Sequence, residues 1–322
     1  MQKALFSTKS ERLHIKGRVF REVTFEDLEV FQHFNKKRER IVQFVSSNYM
    51  LHYWNCGNYK LFINEDCEQT GELIPIARKF KNKPQYMIVA PIVKDVSIIP
   101  ELCKQLQKMT EKPIRVRYMI EEEAEPFRHF DELSVQKQGD KEYINDLEFQ
   151  LKMEGKQFKR LRQAIRHGQR LNPQIKFKLM APEDVTQVEK FLRKWLQIRK
   201  DDYFRPSIGN DINQVKIFNR DFGHTFCLLA LDGEEVASIY MEAGEPGTNY
   251  TCCTLAKTLP SYTDLSYWTF YEAKKIAVSR GFKIENIGMS SKPGGKAYKL
   301  RWNPSTTYNF YEAIYLEDTN KI

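Results

Sequence analysis

The order of helix and strand signals restricts the fold most, because the same order occurs in both halves of the chain. In the second half, two strand-like runs joined by the hairpin signal Asp232-Gly233 precede a third strand, a helix and a fourth strand. The first half has a looser version of this order, with no residue-level repeat. The pattern predicts an α+β fold, with a mixed, mostly antiparallel sheet flanked by helices in each half. The predicted elements of the second half are Thr225–Leu231, Glu235–Glu242, Asn249–Ala256, a helix from Asp264 to Arg280 and Lys283–Gly288.

The length and one polar stretch predict two domains. A chain of 322 residues favours about two domains, and the stretch 131–142 has the polar composition of a linker. We therefore expect an N-terminal domain over residues 1–140 and a C-terminal domain over 147–322. No apolar run approaches the roughly 18 to 20 residues that a membrane-spanning helix needs, and the first residues lack the apolar core of a signal peptide. Cytoplasmic residence is the resulting expectation.

Positive charge is concentrated in the second half. The formal net charge is +9, and residues 147–322 hold 27 Lys/Arg against 20 Asp/Glu, which leaves only +2 for the first 146 residues. This excess indicates an anionic partner for the second half, with tRNA, a nucleotide cofactor and an acidic membrane surface as the alternatives.

The pattern of metal-binding and nucleophilic residue types favours neither a metal site nor a serine hydrolase. The six cysteines include no Cys-x-x-Cys pair, and His52 with Cys56 is the single His/Cys pair at i,i+4. The Gly-x-Ser-x-Gly motif is absent from the sequence. We therefore expect no metal.

A basic helix is predicted from about Phe158 to Arg170. The span from Lys152 to Arg170 contains seven Lys/Arg and one acid, whereas a solvated helix usually mixes in acids at i,i+4. Phe158, Leu161 and Ile165 recur at helical spacing and are predicted to face the core. The basic residues predicted to lie on other faces and meet an anion are Lys156, Arg160, Arg166 and Arg170. A merely basic surface is the alternative.

The run from Ser290 to Pro304, called here the closing basic run, combines glycines with cations. Gly294 and Gly295 predict a sharp turn whose N–H groups approach a ligand. The cations that crowd the same run are Lys292, Lys296, Lys299 and Arg301. The combination suits a phosphate, a carboxylate or the oxyanion of a tetrahedral intermediate, and a solvated basic loop is the alternative.

Two segments resemble a known family. The stretch Glu154–Ile165 is similar to the "G-K-x-x-x-x-x-R-x-x-I" segment of the phosphatidylglycerol lysyltransferase C-terminal-domain family, with Gly155, Lys156, Arg162 and Ile165 as matching positions. The closing Tyr298-Lys-Leu-Arg-Trp-Asn-Pro304 resembles that family's "F-K-x-K-[FW]-x-P" element, from which Tyr298 and Arg301 depart. It also resembles the lysine-bearing strand of the FemABX peptidyltransferases.

The resemblance implies two tandem acetyltransferase-like (GNAT-like) domains with the active site mainly in the second. It also implies transfer of an acyl or aminoacyl group to an amine or hydroxyl, with aminoacyl-tRNA as the donor in several relatives. Lys299 would match the lysine that steadies the developing oxyanion, where a cation acts on charge that appears only in the transition state. Lys156 and Arg162 would match the family's basic helix.

One departure from the acetyltransferase pattern concerns the binding of CoA. Acetyltransferases hold the CoA pyrophosphate with a glycine-rich turn before a helix, but the equivalent link here, Ala256–Asp264, has no glycine. Lys257 and the helix start near Asp264 are what remains to meet a phosphate.

Glu242, at a strand end, is the candidate proton acceptor, with an ordinary strand-end acid as the alternative reading. Glu285 and His224 are weaker candidates.

The leading hypothesis is an acyl- or aminoacyltransferase whose anionic donor, a tRNA or a CoA ester, binds the basic helix and the closing basic run. In it, Glu242 or the substrate itself takes the proton. A non-catalytic protein that binds RNA or anionic lipid is the second hypothesis. A CoA-dependent N-acetyltransferase with an atypical phosphate loop is the third. No cofactor is assigned beyond the donor, and peripheral contact with an anionic membrane is a further expectation.

Overall fold

The computed structural model describes residues 11–38, 40–52, 54, 59–79, 84–199, 205–217, 225–245, 247–290 and 293–316. Two compact units divide the chain: Met1–Gly139 with Asn309–Ile322 form the first, and Asp140–Tyr308 form the second. The last strand of the chain therefore contributes most of its residues to the first unit, whereas the sequence-based boundary assigned everything after residue 147 to the second.

The first unit is built on a sheet whose strands follow chain order. Its strands are β1 Arg12–Ile15, β2 Arg18–Glu22, β3 Tyr59–Asn64, β4 Ile76–Lys79, β5 Gln85–Val89 and β6 Arg115–Met119. Its helices are α1 Leu28–Asn35, α2 Ser47–His52, α3 Cys67–Thr70, α4 Ile98–Gln107 and α5 Glu121–Ala124. Neighbouring strands are antiparallel except β5 and β6, which are parallel and are connected through α4.

The predicted linker 131–142 is wrong, because most of it belongs to a strand. β7 covers Leu133–Asp146, and the boundary between the two units falls inside it. Its polar side chains are used in the fold, since the amides of Gln136 and Gln138 donate hydrogen bonds of 2.8 and 3.1 Å to the Glu312 carboxylate. The polar residues that suggested a linker are therefore residues of a strand, and their side chains bind a carboxylate that is distant in sequence.

The second unit also consists of mostly antiparallel strands with one parallel pair. Its further helices are α6 Leu147–Lys152, α7 Lys159–Leu171, α8 Val185–Arg199, α9 Arg205–Ile217, α10 Leu265–Ser279 and α11 Pro293–Arg301. Its further strands are β8 Lys176–Leu179, β9 Phe226–Asp232, β10 Glu235–Gly244, β11 Tyr250–Thr258 and β12 Ile284–Met289; the chain's last strand is β13 Thr306–Tyr315. The order is β7-β12-β11-β10-β9-β8, antiparallel except for β11 and β12, which are parallel and connected through α10.

Helices cover both faces of the second unit's sheet. Leu228 and Tyr240 pack with α7 and α10, whereas their neighbours Leu229 and Ile239 pack with α8, as the alternation of side chains along a strand requires. The predicted apolar stripe Phe158, Leu161 and Ile165 is buried in the first of these layers. The predicted hairpin is also confirmed, with Asp232 paired to Glu235 and Gly233 at φ +61°.

Candidate functional site

Within the closing basic run, Pro293–Arg301 form the helix α11, so the sharp turn predicted at the glycines is wrong. α11 begins at Pro293, a residue favoured in a first helical turn because its missing N–H would have no helical partner there. Gly294 and Gly295 follow in that turn, and neither has a positive φ. What Gly295 supplies is space, since a Cβ at this position would lie 2.1 Å from the Ser290 hydroxyl oxygen.

The first turn of α11 borders a cavity of about 880 Å³, called here the Lys299 cavity. Its walls are mostly aromatic, aliphatic and hydroxyl side chains from β10, β11, α10 and α11, and Gly294 and Gly295 lie among them. Two lysines, Lys257 and Lys299, also line it. The buried Thr269 hydroxyl in its wall has no hydrogen-bond partner among the residues the structure describes. A buried polar atom of this kind marks a position for a polar atom of a ligand.

Lys299 brings a positive charge to this cavity. Its ammonium donates a hydrogen bond to the Ile287 carbonyl oxygen. Burial lowers the pKa of Lys299 to about 8, against the opposing influence of Cys253, Glu142 and Glu285. The side chain is thus mostly an ammonium at neutral pH, in surroundings where its charge acts strongly on a developing anion.

A second concave surface, called here the arginine groove, has a volume of about 560 Å³. The arginines that line it are Arg160, Arg166 and Arg170 of α7 and Arg301 of α11. None of the four forms an ion pair with an acidic side chain in the part of the chain that the structure describes. The structure therefore brings together four of the residues predicted to meet an anion, Arg160, Arg166, Arg170 and Arg301.

Beside the groove, α7 packs closely against the start of α10. Gly168 of α7 lies so near that a Cβ there would be 2.6 Å from the Asp264 carbonyl oxygen. The Asn172 amide donates to the carbonyl oxygens of Gly168 and Thr263, at 2.7 and 3.1 Å. Asp264 precedes α10 as predicted, but its carboxylate lies 2.9 Å from His167 Nδ1 and makes no capping bond to the helix.

Other predicted site residues lie away from both concave surfaces. Lys156 is exposed in the turn before α7, and Lys296 is half-buried on α11; neither lines the cavity or the groove. Lys292 lies outside the described residues. Arg162, a family-matched position, donates hydrogen bonds to the carbonyl oxygens of Met153 and Gly155, so it closes the turn that leads into α7.

Glu242 is buried in β10, immediately after an irregularity in the strand register, and is not among the residues that line the Lys299 cavity. Burial raises its pKa well above the usual value, and the Glu285 carboxylate adds to the effect while Lys274 opposes it. The geometry gives no direct path from Glu242 to a substrate in the cavity, so its role as proton acceptor stays a prediction.

A buried ion pair lies beneath α10. Lys274 and Glu285 are both fully buried and paired, and the Lys274 ammonium lies 4.6 and 4.9 Å from the ring centroids of Phe270 and Trp302. The Tyr240 hydroxyl donates to Glu285 Oε1 at 2.6 Å. The sequence analysis missed Lys274 and Tyr240. The available signal was a lysine four residues after Phe270, on the apolar face of α10.

Lys257, the residue left to meet a CoA phosphate, is already engaged. Its ammonium lies 3.4 Å from Asp211 Oδ2 and 5.1 Å from the Trp195 ring centroid. The link from β11 to α10 thus combines a paired lysine with the absence of glycine from its sequence. This arrangement does not fit the phosphate turn of an acetyltransferase.

The fold is that of GNAT-type and FemX-type proteins. A conserved protein of unknown function from Bacteroides thetaiotaomicron is 12% identical, with a TM-score of 0.74 over 92% of this chain and 99% of that chain. FemX is 10% identical, with a TM-score of 0.59 over 96% and 98%. A tandem GNAT protein from the clavulanic acid biosynthesis pathway is 8% identical, with a TM-score of 0.51 over 92% and 98%. At such identities the likeness shows the fold alone.

The chain belongs to the phosphatidylglycerol lysyltransferase C-terminal family, whose model matches residues 59–311. This confirms the family expected from the segments around Lys156 and Lys299, and it places the chain in a family of transferases. The search among curated proteins returns no match.

The described residues contain no helix long and apolar enough to cross a membrane. They also contain no group of three or more His, Cys, Asp or Glu side chains arranged to hold a metal ion.

Proposed function

We propose that the protein transfers an aminoacyl group, or another acyl group, from an activated donor to an amine or hydroxyl acceptor, and that aminoacyl-tRNA is the donor. The observation that carries the proposal is the Lys299 ammonium on the wall of a cavity of about 880 Å³. The same short helix also sends Arg301 into the arginine groove. Family membership supports the class of reaction.

In the proposed reaction, the acceptor attacks the carbonyl carbon of the donor ester inside the Lys299 cavity. The carbonyl oxygen becomes an oxyanion, which the Lys299 ammonium stabilises. Collapse of this intermediate re-forms the carbonyl and breaks the bond to the donor's hydroxyl oxygen, which leaves with a proton. The arginine groove holds donor phosphates, which position the ester without taking part in the chemistry.

We also propose that the two units are a tandem pair of GNAT-like domains. Each has antiparallel strands that end in a parallel pair connected through one helix, β5-α4-β6 in the first and β11-α10-β12 in the second. Each parallel pair continues into an antiparallel strand, β13 beside β6 and β7 beside β12. The repeated topology supports a duplicated domain, with the reaction assigned to the second copy.

Non-catalytic binding of RNA or anionic lipid is the second candidate function. It is favoured by one observation, that the described residues lining the Lys299 cavity include no carboxylate. CoA-dependent transfer has less support, because Lys257 is paired with Asp211. Because aminoacyl-tRNA is made in the cytoplasm, the proposed donor is consistent with a cytoplasmic reaction.

The test is transfer of radiolabelled amino acids from total aminoacyl-tRNA to phosphatidylglycerol vesicles or to hydroxylamine. We expect the wild-type protein to transfer label and Lys299→Met to lose about 10²- to 10³-fold in rate, as when one oxyanion donor is removed. Lys283→Met, which removes an exposed lysine outside the cavity, is the matched control. Unaltered melting temperatures would show that both variants fold.

The outcomes separate the two candidate functions. Full activity of Lys299→Met would remove Lys299 from the mechanism. A wild-type protein that binds tRNA but transfers no label to either acceptor would favour the binding function.

A further inference from the structure

We propose that Tyr240, backed by the buried Glu285, accepts the proton of the attacking acceptor. This inference rests on the proposed transferase function and assigns the role that Glu242 does not reach. It makes Tyr240 a catalytic residue and Glu285 a residue that acts through it.

Tyr240 connects the cavity with a buried carboxylate. The residue lines the Lys299 cavity, and its hydroxyl donates to Glu285 Oε1 at 2.6 Å. A phenol oxygen that donates its own proton keeps lone pairs with which to accept another. Tyr240 thus has the two properties of a relay: access to the cavity and a short hydrogen bond to a base.

Hydrogen bonds and an ion pair hold the Glu285 carboxylate in place. Its Oε2 accepts a 2.9 Å hydrogen bond from the Asn145 amide and pairs with the fully buried Lys274. The Phe270 and Trp302 rings border the ammonium of that lysine, so both the anion and its counter-ion are held in place. A carboxylate positioned this way accepts a proton from Tyr240 without first rearranging.

The other groups near Tyr240 suit the role less well. Burial raises the pKa of the Cys253 thiol to about 12, and Cys253 does not line the cavity. Lys299 is needed as a cation for the oxyanion. Glu242 is buried and lies off the cavity wall. Two tyrosines of the cavity wall donate to a carboxylate, Tyr262 to Asp232 at 2.9 Å and Tyr240 to Glu285 at 2.6 Å. Of these two carboxylates, Glu285 is fully buried and Asp232 is partly exposed, so Tyr240 is the better-placed relay.

The proton balance of the step is closed. As the oxygen of a hydroxyl acceptor bonds to the carbonyl carbon, its proton passes to Tyr240 Oη, and the Tyr240 proton passes to Glu285 Oε1. When the intermediate collapses, the two transfers reverse and the proton goes to the leaving oxygen of the donor. Tyr240 and Glu285 end in their starting states, and no co-reactant is consumed.

The experiment compares two acceptors with Tyr240→Phe. For a hydroxyl acceptor in phosphatidylglycerol vesicles, we expect kcat to fall about 10²- to 10⁴-fold with little change in KM, the usual size of a general-base contribution. Hydroxylamine attacks through a nitrogen lone pair that needs no prior deprotonation, so its reaction should fall less than about threefold. Tyr250→Phe is the matched control, because Tyr250 is a buried tyrosine of β11 that does not line the cavity.

Each outcome decides the matter. Selective loss with the vesicle acceptor supports the relay, whereas equal activity of Tyr240→Phe and wild type with that acceptor overturns it, as does equal loss with both acceptors in a folded variant. If Tyr240→Phe melts early, 3-fluorotyrosine at position 240 keeps the hydroxyl and the packing, and an unchanged vesicle rate would then overturn the relay. A wild-type protein inactive with both acceptors contradicts the proposed function itself, and the relay is rejected with it.

Discussion

Two lysines of the second unit are buried in different ways, and the difference assigns them different roles. Lys274 has a carboxylate partner and two aromatic rings around it, so its charge is neutralised inside the fold. Lys299 donates a hydrogen bond to the Ile287 carbonyl oxygen and lines a cavity, and burial lowers its pKa to about 8. Removal of Lys274 would leave buried carboxylates unpaired and cost about 3 to 5 kcal/mol of stability. Lys299 is the lysine placed to act on a ligand.

In the proposed mechanism the ammonium form of Lys299 stabilises the oxyanion, so the transfer rate should fall as the pH rises through about 8, where Lys299 loses its proton. The sign follows from the lowered pKa: the protonated form predominates below it and the neutral amine above it. The measurement is the rate with hydroxylamine between pH 6.5 and 9.5. Lys299→Arg keeps its charge throughout this range, so its residual activity should lack the fall near 8. An identical fall in both proteins would assign the titration to another group.

At the scale of elements, α7 shows what sequence periodicity predicts and what it does not. The apolar stripe and the basic face were both expected, and the helix lies within one residue of the predicted bounds. Arg301 joins the same groove from a segment more than 130 residues later, a meeting that no local pattern contains. Likewise, the glycines of α11 predict a turn locally, but the segment is helical. Close packing against Ser290 explains why position 295 is a glycine.

The arginine groove should set the salt dependence of tRNA binding. Replacing Arg160, Arg166 and Arg170 with Gln removes up to three phosphate contacts, so the slope of log K against log salt should become shallower by about 2 to 3. Filter binding of a single tRNA between 50 and 300 mM salt measures it. Lys159→Gln removes an exposed charge from the first turn of the same helix, outside the groove, and should alter the slope by less than about 1. A triple variant with the wild-type slope would show that tRNA does not bind here.

For the whole molecule, the sequence predicted a repeated order of elements but not which residues belong to each unit. β7 and β13 each contribute residues to both units, and the polar first half of β7 has no strand signal because its partner residue, Glu312, is distant in sequence. Most of the cavity wall, by contrast, comes from one continuous stretch of the sequence, from β10 to α11. The motif that pointed to Lys299 lies at the end of this stretch. Of the proposed relay, Glu285 was a weaker candidate from the sequence and Tyr240 was not predicted, because the two residues meet only through sheet pairing and the packing of α10.

The charges on the cavity wall predict which aminoacyl-tRNA is the better donor, a preference that the family description does not predict. Among the described residues that line the cavity, Lys257 and Lys299 are the charged ones, and Lys257 is already paired with Asp211. A lysyl group would bring a second ammonium beside Lys299, at a cost of about 3 kcal/mol for like charges about 6 Å apart at an effective dielectric constant of about 20. We therefore expect kcat/KM to be at least about tenfold higher for alanyl-tRNA than for lysyl-tRNA, since about 1.4 kcal/mol suffices for that ratio. Nε-acetyl-lysyl-tRNA keeps the length of lysine without its charge and should recover most of the difference; equal use of alanyl- and lysyl-tRNA would contradict the prediction.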